Sequence, residues 1–204
     1  MSSKFFTNNN DRNLFDKFKG IIEHMKDLYA FHAVVGYFRS SGYFALQPHL
    51  ENIKEIKILV GINVDQMFAE AQRKGLLYFG DENKTKDEFL KWFIQDIKEA
   101  KYSEQVEKGV LQFINDLVEG RIEVRAHNSK AIHAKFYLFL PEKHTTHSDG
   151  WVIMGSSNLT EAGLGIKKSP NYELNIALKD YDDVEFTKKE FIALWEQSTP
   201  ILPA

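Results

Sequence analysis

Hydrophobic residues recur along this 204-residue chain at two spacings, which alternate through its first half. From Asn13 to Leu28, the residues Leu14, Phe15, Phe18, Ile21, Ile22 and Met25 fall three or four apart. That spacing gathers apolar side chains on one face and predicts an amphipathic helix. Ala30 to Phe38 (AFHAVVGYF) is a short β-branched and aromatic run, as in a buried strand. A Ser-Ser-Gly turn leads to a helical pattern from Gly42 to Asn52, and Ile56 to Ile62 is a second buried strand. Between Asp65 and Leu117 the pattern is helical and heavily charged, with an apolar stripe through Phe89, Leu90, Trp92, Phe93 and Ile97. Glu119-Gly120 closes it.

The last third changes period. Arg121 to Ala126, Ala131 to Leu140, Trp151 to Gly155 and Tyr172 to Leu178 read as four strands in quick succession, followed by a helix from Asp183 to Gln197. Strand and helix alternate early and strands cluster late. This predicts one α/β domain, a mixed β-sheet flanked by helices on both faces. The expected organisation is a flexible polar segment over residues 1–12, the domain over 13–197, and a linker or chain end over 198–204 (STPILPA).

Composition narrows the class. Hydrophobic residues make up 43%, aromatic residues 13% and charged residues 27%, values of a folded domain rather than a disordered one. With no cysteine there is no disulfide, no thiolate nucleophile and no Cys-containing zinc site, which suits a cytoplasmic protein. The start of the chain lacks the apolar run of a signal peptide. The net charge of −3 excludes a protein that coats nucleic acid by bulk charge. Residues 121–170 nevertheless carry 7 Lys+Arg against 4 Asp+Glu, so a locally basic site remains compatible with the acidic total.

Two segments in that basic stretch carry candidate chemistry. In Ile132-His133-Ala134-Lys135-Phe136-Tyr137, read as part of a strand, His133 and Lys135 share one face. In Gly155-Ser156-Ser157-Asn158, just past the strand WVIMG, Ser156 and Asn158 are again two apart, and Gly155 permits close backbone approach. A hairpin through the polar loop Pro141 to Gly150 would set the two segments side by side. Imidazole, ammonium, hydroxyl and carboxamide groups converging on one point suit a phosphate oxyanion, and histidine also attacks phosphorus. No carboxylate cluster with metal-ligand spacing accompanies them, so neither a metal nor a cofactor is implied.

His-x-Lys on one strand and Gly-Ser-x-Asn after the next resembles the signature of the phospholipase D superfamily. Glu173 in NYELN is similar to the downstream acidic residue of its nuclease members. The early strands AFHAVVGYF and ILVGIN also resemble those of phospholipase D-like nuclease domains, as in restriction-type endonucleases and at the N-terminus of some superfamily 2 helicases. The resemblance departs at Leu140, which stands where the fuller pattern carries an aspartate five residues after the lysine. It implies a phospholipase D-like α-β-α sandwich and a metal-independent phosphodiesterase or endonuclease acting on DNA. His133 is then the nucleophile, Lys135, Ser156 and Asn158 hold the phosphate, and Glu173 orients the histidine. The mechanism needs two His-x-Lys motifs and the chain is read as carrying one, which implies a homodimer with a composite site.

Simpler roles stand beside these. His133 and Lys135 alone fit a core histidine and a snorkelling lysine. Asn158 fits the N-cap of a helix with Glu161 in its first turn, and Glu173 fits an ion-pair partner of Lys135. His144-x-x-His147 reads as a solvated loop, His32 as a hydrogen-bonded core residue, and the Phe89–Phe93 stripe as core or dimer surface. The alternative from another class is a catalytically silent nucleic-acid-binding or dimerisation module of a larger helicase or restriction protein. Phospholipid hydrolysis ranks third.

Overall fold

Period-two alternation sorts the central strands between two apolar layers. The computed structural model describes residues 3–8, 13–36, 38–61, 91, 104–127 and 132–201. In chain order the described elements are β1 (Phe5–Thr7), α1 (Leu14–His24), β2 (Leu28–Val35), α2 (Ser40–Leu50), β3 (Glu55–Gly61), α3 (Glu104–Val118), β4 (Ile122–His127) and β5 (Phe136–Pro141). There follow β6 (Trp151–Gly155), α4 (Glu161–Leu164), β7 (Leu174–Leu178), α5 (Tyr181–Glu196) and β8 (Ser198–Pro200). Odd members of β2 (Phe31, Ala33, Val35) join Ile56, Ile58, Val124, Tyr137 and Phe139 in a core with Phe18, Ile21, Tyr43 and Phe113 of α1, α2 and α3. Even members (Ala30, Val34) join Leu59, Leu138, Leu140 and Val152 against Val184, Phe191 and Trp195 of α5. The result is the expected mixed sheet with helices on both faces.

The strands form one sheet in the order β1-β7-β6-β5-β2-β3-β4-β8. β2, β3 and β4 are parallel, as connections through helices require, and every other pairing is antiparallel. Arg121, just before β4, ties the ends of three elements together. It pairs with Asp116 of α3 and donates through Nη1 to the carbonyls of Leu50 and Ile53 at 2.8 and 2.9 Å.

Several boundaries differ from the sequence reading for local reasons. The first helix stops at His24 because the Met25 N–H caps it and β2 begins at Leu28. Residues Phe5–Thr7, read as part of a loose segment, pair with β7 as an edge strand. The tail read as a linker supplies β8, and Ile201 beyond it is 1% exposed, with its N–H on the Val124 carbonyl. The strand read over 131–140 begins only at Phe136. The Phe89–Ile97 stripe lies outside the described residues.

Candidate functional site

Strand direction gathers the chemistry at one edge of the sheet. The parallel strands β2, β3 and β4 end there, β5 and β7 begin there, and β6 ends there. The segments Ile132–Lys135, Gly155–Asn158 and Glu173–Asn175 therefore meet beside Gly36, the residue after β2. The carboxyl ends of parallel strands are a recurrent ligand position in open α/β sheets.

The β5–β6 hairpin sets Phe136 opposite Met154, and the Gly155 N–H extends the ladder onto the Lys135 carbonyl at 3.1 Å. His133 and Lys135 lie in the irregular segment that enters β5, not within the strand itself. That segment crosses the ends of β2 and β3 over two glycines. A Cβ added at Gly61 would stand 3.0 Å from the Ile132 Cβ. A Cβ at Gly36 would stand 3.3 Å from the Ile132 carbonyl, 3.6 Å from Asn158 Oδ1 and 3.6 Å from Lys135 Cε. The Asn158 carboxamide and the Lys135 chain thus converge on the small space that Gly36 leaves open. Gly36 escaped the sequence reading, although a glycine ending an apolar strand is a signal of close approach.

The other predicted residues are placed as follows. His133 is exposed, and among the described residues its ring makes no hydrogen bond or ion pair. Lys135 is half-buried, its Nζ donates to the His133 carbonyl at 2.8 Å, and among the described residues it forms no ion pair with Glu173. Ser156 is exposed, and its Oγ accepts from the Leu174 N–H at 3.1 Å while its own N–H donates to the Leu174 carbonyl. Its hydroxyl hydrogen remains to be donated elsewhere. Glu173 is half-buried and forms no hydrogen bond with His133 among the described residues. Burial pushes the Tyr137 hydroxyl well above its ordinary range, and the Glu173 charge adds to this.

Asn158 does not cap the following helix. Thr160 does, its side chain accepting from the Gly163 N–H, which leaves the Asn158 side chain turned toward Gly36. Ser157, between the two predicted ligands, is fully buried and held from both sides. Its Oγ accepts from Asn175 Nδ2 at 2.9 Å and its carbonyl accepts from the Tyr137 hydroxyl at 2.8 Å. The sequence reading passed over this clamp, although period-two geometry points Ser157 inward once Ser156 and Asn158 point out.

Of the other histidines, His127 ends β4 at the same end of the sheet and is buried there, while His24 and His144 lie elsewhere. His24-Met25-Lys26 is a second His-x-Lys that the sequence reading missed. It ends α1 at the opposite edge, where β2 begins, and His24 Nδ1 bonds to the Gly20 carbonyl. His144 is not solvated: its side chain is 1% exposed, pairs with Glu185 at 3.2 Å and stacks on Tyr181. Leu140 is 4% exposed and packs in the α5-side layer.

No curated protein matches this sequence. Among solved structures, NucT from Helicobacter pylori is similar at 10% identity and a TM-score of 0.50, over 96% of this chain and 96% of that one. Phosphatidylserine synthase of Haemophilus influenzae Rd KW20 is similar at 12% identity and a TM-score of 0.51, over 96% of this chain and 39% of that one. The archaeal chromatin protein TrmBL2 matches at 14% identity and a TM-score of 0.45, over 98% of this chain and 54% of that one. The chain thus spans about half the length of TrmBL2 and less of the synthase. These likenesses concern the fold. The family described as "Cardiolipin synthase, PLD-like domain" matches residues 55–195, a span holding β3 to α5 and both motif segments. The chain belongs to this phospholipase D-like domain family.

Proposed function

We propose that the protein is a metal-independent phosphodiesterase that cleaves DNA, with two copies of the chain forming one composite site. The observation that carries this reading is the meeting of Lys135 and Asn158 over Gly36, with the uncommitted His133 ring exposed beside them. A His133 nitrogen attacks phosphorus, the P–O bond to the leaving strand breaks, and a phosphohistidine forms. The leaving oxygen takes a proton from His133 of the second copy. That histidine then removes a proton from the water that attacks phosphorus and frees His133. Lys135, Ser156 and Asn158 hold the non-bridging oxygens as charge builds on them. Glu173, whose charge also reaches the Tyr137 hydroxyl, orients the histidine.

A second reading is favoured by one residue. Leu140 is a core side chain where superfamily members carry an aspartate, which supports a silent nucleic-acid-binding or dimerisation module of a larger protein. Incubation with DNA in excess EDTA separates the two. The enzyme reading expects cleavage by the unmodified protein, abolished by His133→Ala and by Lys135→Ala, and a light-scattering mass of two chains. The module reading expects binding without cleavage, unchanged by either substitution. A stable monomer with full activity would contradict the composite site.

A further inference from the structure

The loop between α4 and β7 presents a built feature that no step of the proposed reaction uses. Its centre is Tyr172, which precedes Glu173 and is 67% exposed. The backbone on either side of it is fixed. Asn8, the residue after β1, donates from Nδ2 to the Asn171 carbonyl at 3.1 Å and accepts at Oδ1 from the Glu173 N–H at 3.0 Å. One carboxamide thus brackets Tyr172 from both flanks. Two residues on, the Leu174 N–H is held by Ser156 Oγ, so the bracket is anchored to the candidate phosphate site itself. Among the described residues the Tyr172 ring stacks on no aromatic side chain, takes no cation and makes no hydrogen bond.

A large ring on a fixed backbone, left bare, loses little conformational freedom when something stacks on it. The same loop carries Lys167 and Lys168, both exposed, and the exposed Ile166. Acidic residues at this stretch are limited to Glu161, at the start of α4, and Glu173. Cationic side chains that follow a phosphate backbone, with an aromatic face for a base, form the usual platform for single-stranded nucleic acid. In a duplex the bases are stacked on one another and offer no face to Tyr172.

We infer that Tyr172 is a stacking platform for an unpaired base next to the scissile phosphate, with Lys167 and Lys168 on the flanking phosphates. The protein would then select single-stranded DNA or a frayed end over an intact duplex. This inference rests on the phosphodiesterase reading for the position of the phosphate. It stands apart from that reading in the property it controls, which is the strandedness of the substrate.

The test measures binding of a fluorescent deoxyoligonucleotide to the His133→Ala protein, so that cleavage does not intervene. His133 and Tyr172 are both exposed, so neither substitution disturbs the core. Adding Tyr172→Ala is expected to weaken single-strand binding roughly 5- to 100-fold, and Tyr172→Phe to preserve it, as stacking on one base predicts. Duplex binding should change less than twofold. A scan of single abasic sugars along the oligonucleotide should find one position that weakens binding with Tyr172 present and has no further effect once it is alanine. Equal loss on single strand and duplex, or no loss at all, would overturn the inference while leaving EDTA-resistant cleavage by the unmodified protein intact. Tyr172-dependent single-strand binding by a protein that cuts nothing would support the platform and overturn the phosphodiesterase reading.

Discussion

Ser157 shows what a single residue contributes here. Its neighbours Ser156 and Asn158, the proposed phosphate ligands, stood out in the sequence because the motif names them and they lie two apart. Ser157 does the opposite work from the inside. Tyr137 and Asn175 hold its carbonyl and hydroxyl in full burial, so the loop has one conformation available for presenting the residues on either side. Tyr137→Phe removes a buried donor and leaves the Ser157 carbonyl unsatisfied, which costs about 1–3 kcal/mol. Urea unfolding should register that loss, and DNA cleavage should fall with KM little changed. Unaltered stability would mean that the bond contributes nothing. Gly36 belongs to the same scale. Its glycine identity is visible in the sequence, but the carbonyl and two side chains that need its missing Cβ come from segments roughly a hundred residues away. Period and propensity are local signals and carry no such information.

At the scale of elements, the interior strands and the long helices were legible because their apolar periods are strong. The edges were not. β1 and β8 are three residues each, too short to show a period of their own, and owe their conformation to the ladders of β7 and β4. The seating of α5 on β2 and β3 shows tertiary context deciding chemistry. His32 of β2 is buried, stacks on Phe191 at 4.5 Å and meets Glu55 Oε1 at 2.7 Å, as the sequence reading of a hydrogen-bonded core residue expects. Burial lowers its pKa from 6.5, with Lys57 and Lys188 acting in the same direction and Glu55 opposing. The ring is therefore neutral and donates from Nε2. That hydrogen bond, with Lys57 beside it, takes Glu55 from 4.5 down to about 2. Both shifts make the unfolded chain bind protons first as pH falls: at His32 below about 6.5, and at Glu55 below about 4.5. Stability is then full above pH 7 and declines on acidification through both ranges. Thermal unfolding between pH 7.5 and 4 should show this decline, and His32→Gln should flatten its upper part. A melting temperature independent of pH would contradict the assignment.

At the scale of the whole molecule, the sheet's alternating directions explain why residues from four separate segments reach one edge, which no single stretch of sequence reveals. The motif pair was legible because His-x-Lys enters one strand of a hairpin and Gly-Ser-x-Asn leaves the other. The reach of the Glu173 charge to the buried Tyr137 hydroxyl required the packed structure. One complete His-x-Lys lies at the candidate site and His24-Met25-Lys26 lies at the far edge, so the proposed reaction lacks a second His-x-Lys there within a single chain. The proposed two-fold pairing of site edges would supply it and would bring two basic stretches together in a molecule whose net charge is −3. The central claim is that His133 becomes covalently attached to the substrate phosphorus. It is tested most directly by quenching the protein with end-labelled DNA in denaturing detergent at alkaline pH, where a phosphohistidine survives. The expected result is label that migrates with the unmodified chain, is released by acid, and is absent from His133→Ala. Cleaved DNA with no label on the chain, or equal label on His133→Ala, would contradict the account.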